Sequence, residues 1–113
     1  MANNNYSLIK RPFELQQILS QIPKEPGCYL MKDYESKIIY VGKSKLLRNR
    51  VRSYFGKNVI HSPRIRLMVM QVYDIEYIIT DSESEALTLE SNLIKNKQPY
   101  FNILLKDDKK YPY

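Results

Sequence analysis

Two short apolar runs that contain tyrosine, the second also rich in Ile and Val, most constrain the fold of this sequence; three polar residues separate them. They are EPGCYLMKD (25–33) and KIIYVG (37–42), with YES between them. Runs of this kind on either side of a polar turn predict a β-hairpin. A later run, IEYIIT (75–80), has the same character and predicts a third strand.

Helical patterns occupy the segments around these strands. Ser44 is the expected N-cap of the second helix, and Ser82 with Glu85 forms a capping box before the last one. The tail after Pro99 contributes one further apolar patch and no predicted helix. The sequence therefore predicts an α+β domain, a small three-stranded sheet flanked by helices. Apolar spacing places the four helices at about 12–22, 44–55, 63–72 and 82–97.

Length and composition bound the class of protein. With 113 residues the chain (1–113) is expected to form a single domain, with residues 1–11 flexible. One cysteine excludes an internal disulfide and one histidine excludes most zinc sites, and we assign His61 no function. No run has the roughly 18 apolar residues that a bilayer span requires, so we expect a cytoplasmic protein. The charged ending KDDKKYPY suggests a piece of a longer protein.

Positive charge is concentrated in the middle of the chain. The net charge is +6, and no acidic residue lies between Glu35 and Asp74. Such a field attracts polyanions, above all nucleic acid, although a solvated helix face is the alternative. Half of the eighteen basic side chains lie in this segment: Lys37, Lys43, Lys45, Arg48, Arg50, Arg52, Lys57, Arg64 and Arg66.

Gly42-Lys43-Ser44 looks like the end of a nucleotide-binding phosphate loop, but the spacing excludes one. Such a loop needs a glycine five residues before its Gly-Lys, and that position is Lys37. Gly42 is better interpreted as a strand end, where a missing side chain permits a turn. Lys43 and the N-terminus of the next helix then form an anion site suited to a backbone phosphate.

Glu90 and Arg50 are placed where packing alone would not put them. Glu90 falls within the apolar stripe of the last helix, so its carboxylate requires either a buried ion pair or a metal. A single carboxylate suits Mg²⁺ or Mn²⁺. Arg50 lies at the edge of the stripe of its helix and is expected to be partly buried, bracing a phosphate or extending to solvent. Arg48 and Arg52 point away, for phosphate contact or solubility.

Gly27-Cys28-Tyr29 followed by Tyr40-Val41-Gly42 resembles the paired motif of the GIY-YIG nuclease superfamily, with Cys and Val in place of Ile. Tyrosine in a strand is otherwise only a good β-former. The resemblance extends from about Pro26 to the end of the chain, and within the superfamily it is to the N-terminal domain of the UvrC family of bacterial nucleotide excision repair. Its further matching positions are Lys43, Arg50, Tyr54, Glu90 and Asn102.

The resemblance implies a GIY-YIG fold and hydrolysis of a DNA phosphodiester 3′ to a lesion. Glu90 would be the sole protein ligand of one divalent cation, Mg or Mn. Tyr40 would act as general base or orient the attacking water, supported by Tyr29. The remaining implied roles are charge stabilisation at the phosphate by Lys43 and Arg50, positioning of phosphate or water by Tyr54, and hydrogen-bonded support by Asn102.

The implied partners are double-stranded damaged DNA and UvrB, the latter through regions beyond this chain, and the isolated domain is expected to be a monomer. A non-catalytic DNA-binding or protein-docking domain on the same scaffold is the alternative function. The candidate DNA-binding residues are Lys43, Lys45, Arg48, Arg52, Lys57, Arg64 and Arg66.

Overall fold

A computed structural model describes residues 15–56 and 61–106 of the chain. Its three strands form one antiparallel sheet in the order β2-β1-β3, and helices flank it, which confirms the predicted α+β architecture. The segment 1–11, expected to be flexible, and the charged ending lie outside the described residues. The elements are helical residues 15–21 (the described part of α1), β1 Gly27–Lys32, β2 Ile38–Ser44, α2 Leu47–Arg52, α3 Pro63–Gln71, β3 Asp74–Ile79, α4 Glu83–Lys97 and α5 Tyr100–Lys106.

The predicted hairpin is formed by β1 and β2. Asp33 closes its turn, because its Oδ1 accepts hydrogen bonds from the backbone N–H groups of Glu35 and Lys37, both at 2.9 Å. The register sets Tyr29 opposite Gly42 and Met31 opposite Tyr40. Since side chains alternate between the faces of a strand, both tyrosines project from the same face.

Helix α2 starts later than predicted. It begins at Leu47, while Ser44 is the buried last residue of β2 and its Oγ bonds with the backbone of Leu46. The N–H groups of Leu47 and Arg48 donate to carbonyl oxygens of the loop after α1, those of Glu25 (2.9 Å) and Pro23 (3.2 Å). The predicted N-cap was therefore wrong, and these two helical N–H groups are not available to an anion.

Helix α4 begins as predicted. The Oγ of Ser82 accepts from the N–H of Glu85 at 3.2 Å, and Glu85 in turn accepts from the N–H of Asp81 at 2.8 Å. The helix packs on β1 and β2, where the Cys28 thiol donates to the carbonyl of Ala86 at 3.2 Å. This packing brings the middle of α4 to strand β2.

Helix α5 was not predicted. Gln98 ends α4 in the left-handed conformation (φ 47°), and a second helix of seven residues starts two residues later. It buries Phe101 and Leu105 in the core and contacts β2. No helix in the described part of the chain is both long enough and apolar enough to cross a membrane.

Candidate active site

Asn102 connects α5 to the outer edge of β2. Its Nδ2 donates to the carbonyl oxygen of Val41 and its Oδ1 accepts from the N–H of the same residue, both at 2.8 Å. Because β2 is an edge strand, these two bonds satisfy backbone groups that a neighbouring strand would otherwise pair. The Asn102–Val41 clamp thus holds β2 in place next to Tyr40.

Replacing Asn102 with alanine is expected to lower the free energy of unfolding by about 1–3 kcal/mol, because two partly buried backbone groups lose their partners. Urea denaturation measures this loss. Asn102→Asp is the matched control, since it keeps the acceptor for the Val41 N–H but not the donor, and it should fall between wild type and alanine. An alanine variant as stable as wild type would contradict the clamp.

Three tyrosines form a buried cluster under the hairpin. The hydroxyl groups of Tyr29 and Tyr54 are hydrogen-bonded at 2.8 Å, and the ring centroid of Tyr29 lies 6.2 Å from that of Tyr40. His61, to which the sequence analysis gave no function, contacts this cluster: its Nε2 lies 2.9 Å from the carbonyl oxygen of Tyr54. The cluster brings together the three tyrosines that the motif resemblance selected.

Gly42 is required by this cluster and not by a turn. It lies inside β2, and no glycine among the described residues has a positive φ. A Cβ at this position would overlap the Cζ and hydroxyl oxygen of Tyr29. The sequence-based explanation of Gly42 was therefore wrong, because the missing side chain makes room for a catalytic candidate.

Burial controls the ionisation of the tyrosine hydroxyls. Desolvation raises the pKa of both Tyr29 and Tyr40 well above the ordinary value, and the neighbouring Tyr54 raises both further. The charge of Glu90 adds to the shift at Tyr40, and the charge of Arg50 opposes it. Tyr40 is thus electrostatically coupled to both Glu90 and Arg50.

We expect the stability of the domain to fall at alkaline pH for this reason. An acid whose pKa is raised in the folded state ionises first in the unfolded state, so stability is retained below the ordinary tyrosine value of about 10 and lost as pH rises above it. Phenolate absorbance followed together with circular dichroism checks this. Tyr29 and Tyr40 should ionise only with unfolding, and Tyr40→Phe should shift alkaline unfolding to higher pH. Ionisation of all tyrosines in the folded protein near pH 10 would contradict it.

Glu90 on α4 is half-buried, as predicted. Burial raises the pKa of its carboxyl group, while the backbone N–H of Lys43 and the charges of Lys43 and Arg50 oppose that shift. The ion pairs within the described residues do not include Glu90, and those residues contain no group of three or more His, Cys, Asp or Glu side chains able to hold a metal. The site therefore offers one carboxylate without a paired cation.

A cleft of about 340 Å³ opens beside these groups. Lys43 Nζ donates to Glu83 Oε2 across it at 2.8 Å. Arg50 is exposed on its wall, which corrects the expectation of partial burial: α2 is short, and only Leu47 and Val51 of the helix are buried. The lining residues are Lys43, Ser44, Lys45, Leu46, Asn49, Arg50, Ser53 and Glu83.

A family model for the UvrC-like GIY-YIG domain matches residues 25–103. The chain belongs to this family. UvrABC system protein C of Prochlorococcus marinus (strain MIT 9313) is 64% identical over 112 residues, covering 99% of this chain and 17% of that protein. The chain thus spans less than a fifth of the length of this curated relative.

Solved structures support the same family. The GIY-YIG N-terminal endonuclease domain of UvrC from Thermotoga maritima, bound to magnesium as its catalytic divalent cation, matches with a TM-score of 0.68 and 33% identity, over 78% of this chain and 94% of that one. A variant of that domain with an asparagine changed to alanine, also bound to its catalytic divalent cation, matches at the same TM-score of 0.68 and 33% identity, over 78% and 93%. The expected fold, family and class of GIY-YIG endonuclease domain are confirmed.

The candidate DNA-binding residues of this GIY-YIG domain differ in whether their side chains already have a bonding partner in the protein. Arg48, expected to point to solvent, is half-buried, and its Nε donates to the carbonyl of Ile22 at 2.7 Å. Arg64 donates to the carbonyl of Leu104 at 3.1 Å. Arg48 thus bonds α2 to the residue that follows α1, and Arg64, although exposed, bonds α3 to α5. Lys45, Arg52 and Arg66 are exposed, Lys43 pairs with Glu83, and Lys57 lies outside the described residues.

Glu83 is the site residue that the sequence analysis missed. It precedes Glu90 by seven residues, which places both carboxylates on one face of α4. That spacing is visible in the sequence, but of the acidic residues in the predicted helix start only Glu85, as part of the capping box, was given a role. The partner of Glu83, Lys43, is forty residues away in the chain and becomes a neighbour only when α4 packs on β2.

Proposed function

We propose that this GIY-YIG domain hydrolyses a phosphodiester bond of damaged double-stranded DNA, with Glu90 holding one divalent cation, Mg or Mn. In the cell it would be the 3′-incision module of nucleotide excision repair. The observation that carries the proposal is the half-buried carboxylate of Glu90, which has no ion-pair partner among the described residues. Its charge is coupled to Tyr40 of the tyrosine cluster and to Lys43 and Arg50 of the basic cleft.

The donor set fits a hard cation that retains water. Within the described residues Glu90 belongs to no group of three or more His, Cys, Asp or Glu side chains. A single carboxylate suits Mg²⁺ or Mn²⁺, whose remaining positions are filled by water and phosphate oxygens. When bound, the cation supplies charge stabilisation at the phosphoryl and leaving oxygens. Partial burial favours occupancy, because an ionised carboxylate in this position gains more from a cation than an exposed one would.

The surrounding side chains would stabilise the phosphate, position the attacking water and hold strand β2. Lys43 and Arg50 supply positive charge to the scissile phosphate. The hydroxyl of Tyr54 bonds that of Tyr29 and also interacts with Tyr40, whose pKa is raised by burial. Tyr40 would therefore orient the attacking water as a protonated phenol, and the general-base alternative requires its pKa to be lowered in the complex with substrate. Asn102 fixes the strand that carries Tyr40.

The wider setting belongs to the same proposal. Lys45, Arg52 and Arg66, with Lys57, would contact backbone phosphates of the duplex, and Arg48 and Arg64 would contribute mainly through helix packing. UvrB would bind to regions outside this chain. The domain itself would act as a monomer in the cytoplasm. Lesion recognition would come from these partners, because the basic residues contact phosphate and carry no base readout.

Metal-dependent nicking tests this function. A plasmid carrying lesions is incubated with the chain, alone and joined to the rest of its repair complex, in Mg²⁺, Mn²⁺ or chelator. We expect nicking in the complex that chelator abolishes, and only weak nicking by the chain alone. Salt-sensitive DNA binding without cleavage in any of these conditions would contradict the enzyme and favour the non-catalytic alternative.

A further inference from the structure

Lys43 faces two carboxylates of α4 at once. Its Nζ bonds to Glu83 at 2.8 Å, while its backbone N–H interacts with Glu90. Seven residues of α-helix separate the two carboxylates by about 10.5 Å along the helix axis. The ammonium group that would serve a phosphate at Glu90 is therefore bonded to a carboxylate in the first turn of α4.

Glu83 lies where the positive charge of the cleft converges. Its carboxylate accepts the hydrogen bond of Lys43, and the charges of Lys43, Lys45 and Arg50 all lower its pKa. These three cations line the cleft together with it. A phosphate oxygen has the same sign of charge and the same acceptor chemistry as this carboxylate.

We propose that Glu83 is an internal competitor for the DNA backbone: its carboxylate occupies the anion subsite made by Lys43, Lys45 and Arg50, and a phosphate must displace it before Lys43 contacts the substrate. The proposal rests on the proposed function, because it takes DNA as the ligand. Glu83 and Lys43 are 46% and 30% exposed, so the pair opens at low cost. A duplex that presents its phosphate correctly can displace Glu83, and poorly placed DNA is disfavoured.

The test is DNA binding in chelator, where no cleavage occurs. Fluorescence anisotropy of a short labelled duplex is measured at low salt with the 113-residue chain. We expect Glu83→Gln to tighten binding by about 1.4- to 5-fold, the range of an exposed ion pair converted to affinity. In the Lys43→Met background the same change should tighten binding no more than the controls do.

Two control variants isolate the contact from the loss of one negative charge. Glu85→Gln alters the same turn of α4 and keeps the oxygen that accepts from Asp81. Glu76→Gln breaks the second 2.8 Å bridge among the described residues, in which Glu76 is exposed and its partner Lys32 is mostly buried. The competitor proposal is overturned if Glu83→Gln binds DNA no more tightly than these controls do. It is also overturned if the tightening persists in the Lys43→Met background, or if neither wild type nor Glu83→Gln binds DNA. If wild type nicks DNA and Glu83→Gln binds DNA as wild type does, the competitor proposal is overturned and the proposed nuclease function is not. Tighter binding without nicking in any context leaves the competitor supported and overturns the nuclease.

Discussion

Replacing Glu90 with glutamine is expected to reduce metal-dependent nicking by at least about 100-fold, since even residues that only support a metal ligand cost 10–100-fold when changed. Glutamine preserves the size of the side chain and removes the charge that would hold the cation. Calorimetric titration with Mn²⁺ should lose the site, and plasmid nicking within the repair complex should stop. DNA binding in chelator should remain.

The same variant should not lose stability. Burial raises the pKa of Glu90, so the ionised carboxylate costs folding free energy above that pKa, and the cost disappears below the ordinary value of about 4.3, where folded and unfolded states are both protonated. Glu90→Gln should therefore be at least as stable as wild type at pH 7. Glu85→Gln, on the exposed side of α4, is the activity control. Wild-type nicking by Glu90→Gln would show that the metal ligand is assigned wrongly.

Replacing Gly42 with alanine is expected to cost about 1–3 kcal/mol of unfolding free energy, the usual range for overpacking a core. The added methyl would overlap the phenol of Tyr29, which is 1% exposed and has little space to move. Because Tyr29 is bonded to Tyr54 and its ring lies tilted against that of Tyr40, we also expect nicking to fall at least about 10-fold. Urea denaturation and the nicking assay measure the two effects.

A double-mutant cycle separates this overlap from a general weakness of alanine in β2. Tyr29→Leu removes the phenol, so Gly42→Ala should cost less in that background than in wild type. The pair of changes should cost less stability than the sum of the two single changes, while nicking stays lost because the hydroxyl network is absent. Strictly additive effects would show that Gly42 and Tyr29 do not compete for space.

Local sequence patterns predicted the elements whose stability is local. The hairpin, the third strand and the capping box of α4 all follow from residues within a few positions of one another. Helix α5 was missed because it is short and depends on Phe101 and Leu105 packing in the core. Ser44 was misassigned because Glu25 and Pro23, from another part of the chain, accept the first N–H groups of α2.

Site residues could be predicted from the sequence where a charged side chain occupies a position that packing would give to an apolar one. Glu90 stood out because a carboxylate lies on an apolar stripe, and the structure keeps it half-buried. Asn102 required the family resemblance, since its bonds to Val41 join residues 61 positions apart. Glu83 looked like an ordinary helix-start residue, and only the docking of α4 shows it paired with Lys43.

That separation of 61 positions between Val41 and Asn102 also sets an order of assembly during synthesis. A ribosome-bound chain that has emerged only as far as α4 already carries the tyrosines, Lys43, Arg50 and Glu90. It does not yet carry the residue that pairs the outer edge of β2. A helix made after all three strands therefore completes the edge of β2, so the nuclease site would mature only after α5 has emerged and docked.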